Sequence, residues 1–191
     1  MSTLTSTEPQ KINPQRFLMW VAIGSIVMMF AGLTSAYIVK KNQGNWLSFE
    51  LPTVFWYSTG VILASSVTLF LASLSLKAGK ISLYKLLITV TAILGVVFVK
   101  MQWTGFQDLE TRGIALIGTQ SNSSSSFLFI ITGLHMLHVL GGVIALLVLF
   151  FKAFWIKSSQ INLVPVQIVS TYWHFVDILW IYLFIFYHLI A

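Results

Sequence analysis

Five long apolar runs, 17–39, 54–76, 81–99, 126–151 and 169–190, occupy most of this chain, and each exceeds the about 18 residues that a helix needs to cross a bilayer. Inside hydrocarbon every backbone N–H and C=O must find a partner, and a single run of this length does so by folding as an α-helix. Basic residues stand where the runs stop: Lys40 and Lys41 after the first, Lys77 after the second, Lys100 after the third and Lys152 after the fourth. The pattern predicts an all-α integral membrane bundle of five transmembrane helices, with a polar N-terminal tail over 1–16 and a single five-helix domain over 17–191.

Composition narrows the function. With 191 residues, 57% of them hydrophobic and 8% charged, the spans leave no length for a soluble domain. The net charge of +6 does not point to nucleic acid, because the eleven Lys and Arg sit singly or in pairs at the ends of apolar runs, where they act as topology determinants. Lys11, Arg16, Lys77, Lys80, Lys85, Lys152 and Lys157 fall on the N-terminal side, seven against the four of Lys40, Lys41, Lys100 and Arg112. The positive-inside rule then puts the N-terminus inside and the C-terminus outside. Lys85 lies within the third run and is expected to snorkel to the interface.

Zero cysteines remove disulfides, c-type haem attachment, iron–sulfur clusters and thiolate copper centres, so any metal would have to rely on four histidines and a few acids. The first apolar run is longer than the roughly 7–15 residues of a signal-peptide core and reads as an uncleaved anchor. The longest connection, 100–125, carries Trp103, Asp108, Glu110 and Arg112, then an apolar patch and a serine run. It is expected to lie partly along the outer membrane surface, with the serines as linker. Asn122-Ser123-Ser124 matches a glycosylation sequon, a short pattern that arises by chance and carries no weight.

Chemistry concentrates on the last two spans. Asp177 is the only acid within any span, and an acid at membrane depth costs a few kcal/mol unless it is paired or functional. His174 lies three residues before it and shares its helix face. On the fourth span, His135 and His138 are also three apart, flanked by Gly133, Gly141 and Gly142, whose small size lets another helix approach. The residues support an internal polar network of His135, His138, His174 and Asp177 that fixes the fourth helix against the fifth. A proton relay needs a chain of such groups, and one acid alone does not supply it. Haem ligation is a rival, because His174 and His188 are fourteen apart and land about 40° from a common face. That scheme needs a matching histidine pair on another helix, and His135 and His138 are only three apart. A metal site of His135, His138, His174 and Asp177 is conceivable by ligand type, though nothing in the spacing demands it. Trp103, Trp155, Trp173, Trp180, Tyr172, Tyr182 and Tyr187 read as interface anchors, and Met19, Met28 and Met29 as gap-filling or lipid-facing residues.

Two motifs carry a resemblance. Ser126-Phe127 leads into Thr132-Gly-Leu-His135-Met-Leu-His138-Val-Leu-Gly141-Gly142, and Tyr172-Trp-His174-Phe-Val-Asp177-Ile-Leu-Trp180 follows on the last span. Phe30-Ala-Gly-Leu-Thr-Ser-Ala-Tyr37 adds a weaker match on the first. In this order and on these spans they resemble subunit III of the haem-copper cytochrome c and quinol oxidases, in its five-helix form. Two departures stand out. The first two helices of the seven-helix members are lacking, which puts the family's lipid-holding cleft in doubt. Ser25 is followed by Ile26 where the family places an acid, so the role of that carboxylate does not carry over.

The resemblance implies a non-catalytic subunit of a bacterial terminal oxidase, in the inner membrane, without a cofactor of its own. Haems and copper would lie in partner subunits. Subunit I is the implied direct partner, with subunit II, possible further contacts to a small subunit IV, membrane phospholipids and a larger respiratory supercomplex. The implied roles are assembly, stability of the catalytic subunit and support of proton uptake. Competing readings are an accessory protein of nitric oxide reductase or of a quinol oxidase, a b-haem membrane protein, and a small transporter, for which the sequence offers no repeat.

Overall fold

The computed structural model describes residues 14–42, 51–114, 123–155 and 162–190. Among these residues the structure is helical, with five helices: α1 (Pro14–Lys41), α2 (Val54–Lys77), α3 (Ile81–Thr111), α4 (Ser123–Trp155) and α5 (Leu163–Ile190). All five are long and apolar enough to cross a membrane. Asn122, Lys11, Lys157 and most of the predicted tail lie outside the described residues.

The helices run alternately up and down, which brings Arg16, Lys77, Lys80, Lys85 and Lys152 to one end of the bundle and Lys40, Lys41, Lys100 and Arg112 to the other. Side chains tie both ends. Arg16 Nη2 donates to Gln167 Oε1 at 2.5 Å where α1 and α5 begin, and Lys41 Nζ donates to the Ile190 carbonyl where they finish. Lys85 is half-buried and reaches the end of α4, its Nζ 5.4 Å from the centroid of the Phe154 ring.

Helix α5 is the hub. It packs against α2, α4 and α1, while α3 closes the far side against α2 and α4. Half of the apolar window of α5 is buried, against 11% of that of α1, which rests on the outside of α4 and α5. Lipid tails are as apolar as leucine, so the bundle cannot rely on hydrophobic exclusion and depends on close packing and interhelical hydrogen bonds.

Several helix ends differ from the sequence expectation, among them the start of α5, at Leu163 rather than at 169. Helix α3 does not stop at Lys100 but continues through Thr111, because Lys100 faces outward while Phe98, Gln102, Gly105 and Leu109 prolong the buried stripe of Ile88, Thr91 and Gly95. At about 46 Å, α3 is longer than the roughly 30 Å hydrocarbon core, so its last turns project beyond it. The serine run is likewise not linker throughout: Ser123–Ser125 open α4, and Ser124 and Ser125 are buried.

Both Gly79 and Gly113 end a helix in the left-handed region, at φ 72° and 79°. After α2, Lys80 N–H bonds the Ser75 carbonyl and Gly79 N–H that of Leu76; after α3, Ile114 N–H bonds Leu109 and Gly113 N–H bonds Glu110. This is the paired 6→1 and 5→2 closure that glycine makes possible, and buried Ile114 and Leu109 supply its apolar contact. The adjacent Arg112–Asp108 ion pair, 2.7 Å long and exposed, adds little to stability.

Candidate functional site

Along α5 the buried residues Trp173, Asp177, Trp180, Phe184 and Tyr187 recur at helical spacing and form one inward stripe. Trp173 and Trp180 are each 1% exposed, so these two are not the interface anchors expected from sequence, whereas Trp103 and Trp155 are 64% and 83% exposed. The indole N–H groups explain the burial. Trp173 Nε1 donates to Ser65 Oγ at 3.1 Å, and Trp180 Nε1 donates to Thr59 Oγ1 at 3.0 Å. Both acceptors belong to α2, and a buried indole needs such a partner.

Glycines shape the room for the first indole. A Cβ on Gly142 would lie 2.8 Å from Trp173 Cε3, and one on Gly95 would lie 3.0 Å from Trp173 Cη2. The ring is thus wedged between α3 and α4 while bonded to α2. Gly141 has only the Tyr172 hydroxyl nearby, at 3.8 Å, and Gly133 faces open space. Gly142→Ala should therefore destabilise the bundle by about 1–3 kcal/mol through overpacking. Gly133→Ala should be neutral or slightly stabilising, which denaturation of the two variants side by side would check.

The four polar candidates divide between two neighbourhoods. His135 is buried and sits in an aromatic box: its ring stacks on Trp180 with centroids 5.3 Å apart and meets Phe30 and Phe98 edge-on. Neither ring nitrogen has a hydrogen-bond partner among the described residues. His138 is half-buried beside Phe30, and its Nδ1 pairs with the Leu134 carbonyl of its own helix at 2.7 Å. His174 and Asp177 instead face α2. Ser66 Oγ and His174 Nδ1 are 2.6 Å apart, and Ser66 is also a polar neighbour of the Asp177 carboxyl. Asp177 is 2% exposed, and neither carboxyl oxygen has a partner with hydrogen-bond geometry among the described residues. No hydrogen bond joins any of the four to another.

Direct α4–α5 bonds come from elsewhere. Tyr172 Oη donates to the His138 carbonyl at 3.0 Å, and Thr132 Oγ1 donates to Tyr187 Oη at 3.3 Å. Thr34 and Tyr182 hydroxyls, 3.0 Å apart, join α1 to α5; Thr68 and Thr91 join α2 to α3 at 2.9 Å; and Gln102 Nε2 donates to Ser58 Oγ at 3.1 Å. The α2 hydroxyls of Ser58, Thr59, Ser65, Ser66 and Thr68 went unnoticed in the sequence. Their spacing along one side of α2 is the signal that could have found them.

No group of three or more His, Asp and Glu side chains able to hold a metal assembles among the described residues. The His135 ring is covered by Trp180, Phe30 and Phe98. His188 packs edge-on against Trp56 at 5.7 Å, away from the other histidines. What remains is a site built for joining helices: indoles on serine and threonine, glycines under rings, and an unpaired carboxyl.

Comparison with known proteins accords with that architecture. The family described as Cytochrome c oxidase subunit III matches residues 16–190. A probable cytochrome c oxidase subunit 3 of Nocardia farcinica is 32% identical over 180 residues, covering 86% of this chain and 85% of the relative. The cytochrome c oxidase subunit 3 of Corynebacterium diphtheriae is 30% identical over 190 residues, with 93% and 91% covered. A probable quinol oxidase subunit 3 of Staphylococcus saprophyticus is 29% identical over 178 residues, with 90% and 87% covered. With five apolar helices and a match from the start of α1 to the end of α5, this multi-pass membrane chain belongs to the subunit III family of the haem-copper oxidases.

Proposed function

We propose that the chain is the non-catalytic subunit III of a bacterial cytochrome c oxidase, holding no cofactor itself and packing against subunit I, which with subunit II carries the haems and copper. The observation behind this reading is the family match over residues 16–190, joined to an interior whose polar groups serve helix packing. Stabilising the catalytic subunit and supporting proton uptake follow as its roles, as do contacts with a small subunit IV and with phospholipids. The positive-inside count, seven basic residues against four, supports an N-terminus on the inner side of the inner membrane. A quinol oxidase is the second reading, favoured by the similarity to the Staphylococcus saprophyticus protein.

A mild-detergent pull-down through this chain tests the proposal. Reduced-minus-oxidised spectra should show haem in the complex and none on the chain stripped of its partners. Haem retained by the isolated chain would overturn it. Turnover of the complex with reduced cytochrome c or with quinol separates the two donors.

A further inference from the structure

His138 stands at the middle of the apolar run 126–151 of α4, with about 15 Å of hydrocarbon on either side of it. Its Nδ1 lies 2.7 Å from the Leu134 carbonyl. A carbonyl only accepts, so Nδ1 carries the ring proton and Nε2 is left with the lone pair. Nε2 makes no hydrogen bond among the described residues, and it is not shut inside the bundle as both nitrogens of His135 are. It is an acceptor presented to the bilayer at a depth where acyl chains offer no donor.

The surroundings of the ring hold it still and leave room beside it. Phe30 of α1 meets the imidazole edge-on at 5.8 Å. The nearby Tyr172 hydroxyl is spent on the His138 backbone carbonyl, at 3.0 Å, and so does not serve the ring. Leu137 is 63% exposed, and Gly141, nearly one turn on from His138, is exposed as well. A Cβ on Gly141 would find only the Tyr172 hydroxyl, at 3.8 Å, so the α4 backbone here can be approached closely by another helix. A side chain needed only for packing would fill this place better as leucine, which leaves no acceptor dry.

We propose that His138 Nε2 is a docking point for a transmembrane helix of another subunit, which lies against α4 at Gly141 and donates an O–H or N–H from a serine, threonine, tyrosine or tryptophan side chain. A phospholipid does not supply this donor, because its headgroup stops at the interface, about 15 Å away. The donor therefore has to be carried to mid-bilayer on a helix, where a hydrogen bond between side chains fixes the partner's depth and rotation. The inference rests on the reading of this chain as one subunit of a membrane complex, and adds to it the face and the chemistry of the contact.

Photocrosslinking in the purified complex that contains this chain tests it. A diazirine-bearing residue in place of Leu137 should, on irradiation, attach to a transmembrane segment of another subunit, with one of those donor residues within a turn of the attachment point in the mass spectrum of the crosslinked peptide. His138→Leu should lower retention of that subunit through a detergent wash about three- to tenfold, as expected of one interhelical hydrogen bond in a membrane, while the thermal unfolding of the isolated chain stays where it was. His138→Gln, which keeps an acceptor, should restore most of the retention. If His138→Leu assembles too poorly to be washed, the crosslink decides. Attachment to lipid alone or to this chain alone, or full retention in His138→Leu, would overturn the proposal. A crosslinked partner in a complex without haem would support the docking point and sink the oxidase reading, and a haem-bearing complex in which the probe meets only lipid would do the reverse.

Discussion

Trp173→Ala should lower the stability of the bundle by about 3 kcal/mol, the low end of the range for truncating a buried large aromatic. The low end applies because the transfer term is muted in lipid, where the unfolded reference is also apolar. What is lost is packing on three helices at once. The ring fills the space above Gly142 on α4 and Gly95 on α3, and its N–H satisfies Ser65 on α2. Alanine leaves a cavity between helices whose backbones already approach closely, together with a buried hydroxyl that has lost its donor. Trp173→Phe should recover part of the packing but not the hydrogen bond, and so fall between. Trp155→Ala, at a side chain 83% exposed, is the control and should change little. Denaturation in detergent reads the series, and equal losses for Trp173→Ala and Trp155→Ala would remove Trp173 from its place as the wedge.

That wedge shows what one-dimensional reasoning reached. Hydropathy located five helices because the bilayer imposes both their length and their internal hydrogen bonding. It misjudged the end of α3, since an outward-facing Lys100 interrupts an average but not a helix, and the stripe through Gln102, Gly105 and Leu109 carried on behind it. The cost of an intramembrane acid singled out Asp177, and spacing paired it with His174. Nothing in the spacing could say that both would turn to α2 rather than to the histidines of α4, because that depends on how α5 is rotated among three neighbours. The same limit applies to Trp173 and Trp180, whose positions in the sequence suggest anchors. A tryptophan's place in a span does not reveal whether a serine on another helix awaits its N–H. The serines and threonines of α2 attract no attention alone, and acquire meaning only once α5 lies against them.

The second large effect belongs to a contact that joins α2 to the extension of α3. A Cβ on Gly105 would lie 2.3 Å from Phe55 Cε1, closer than non-bonded carbons approach, so Gly105→Ala must displace that ring or part the helices. Displacement is difficult. Phe55 is 2% exposed, meets Trp180 edge-on at 5.7 Å, and stands on the first turn of α2, where its carbonyl accepts from Ser58 and Thr59. Moving it would disturb Trp180, which stacks on His135 and bonds Thr59. We expect Gly105→Ala alone to cost about 3 kcal/mol, the upper part of the overpacking range. Phe55→Leu alone leaves a small void at the same place. Combined, the added methyl occupies space that the shorter side chain vacates, so the double variant should be more stable than the sum of the single losses by about 1–2 kcal/mol. Simple additivity would mean that the two helices part at this point in solution, and that the end of α3 is held by Leu109 and Ile114 rather than by the ring seated on Gly105.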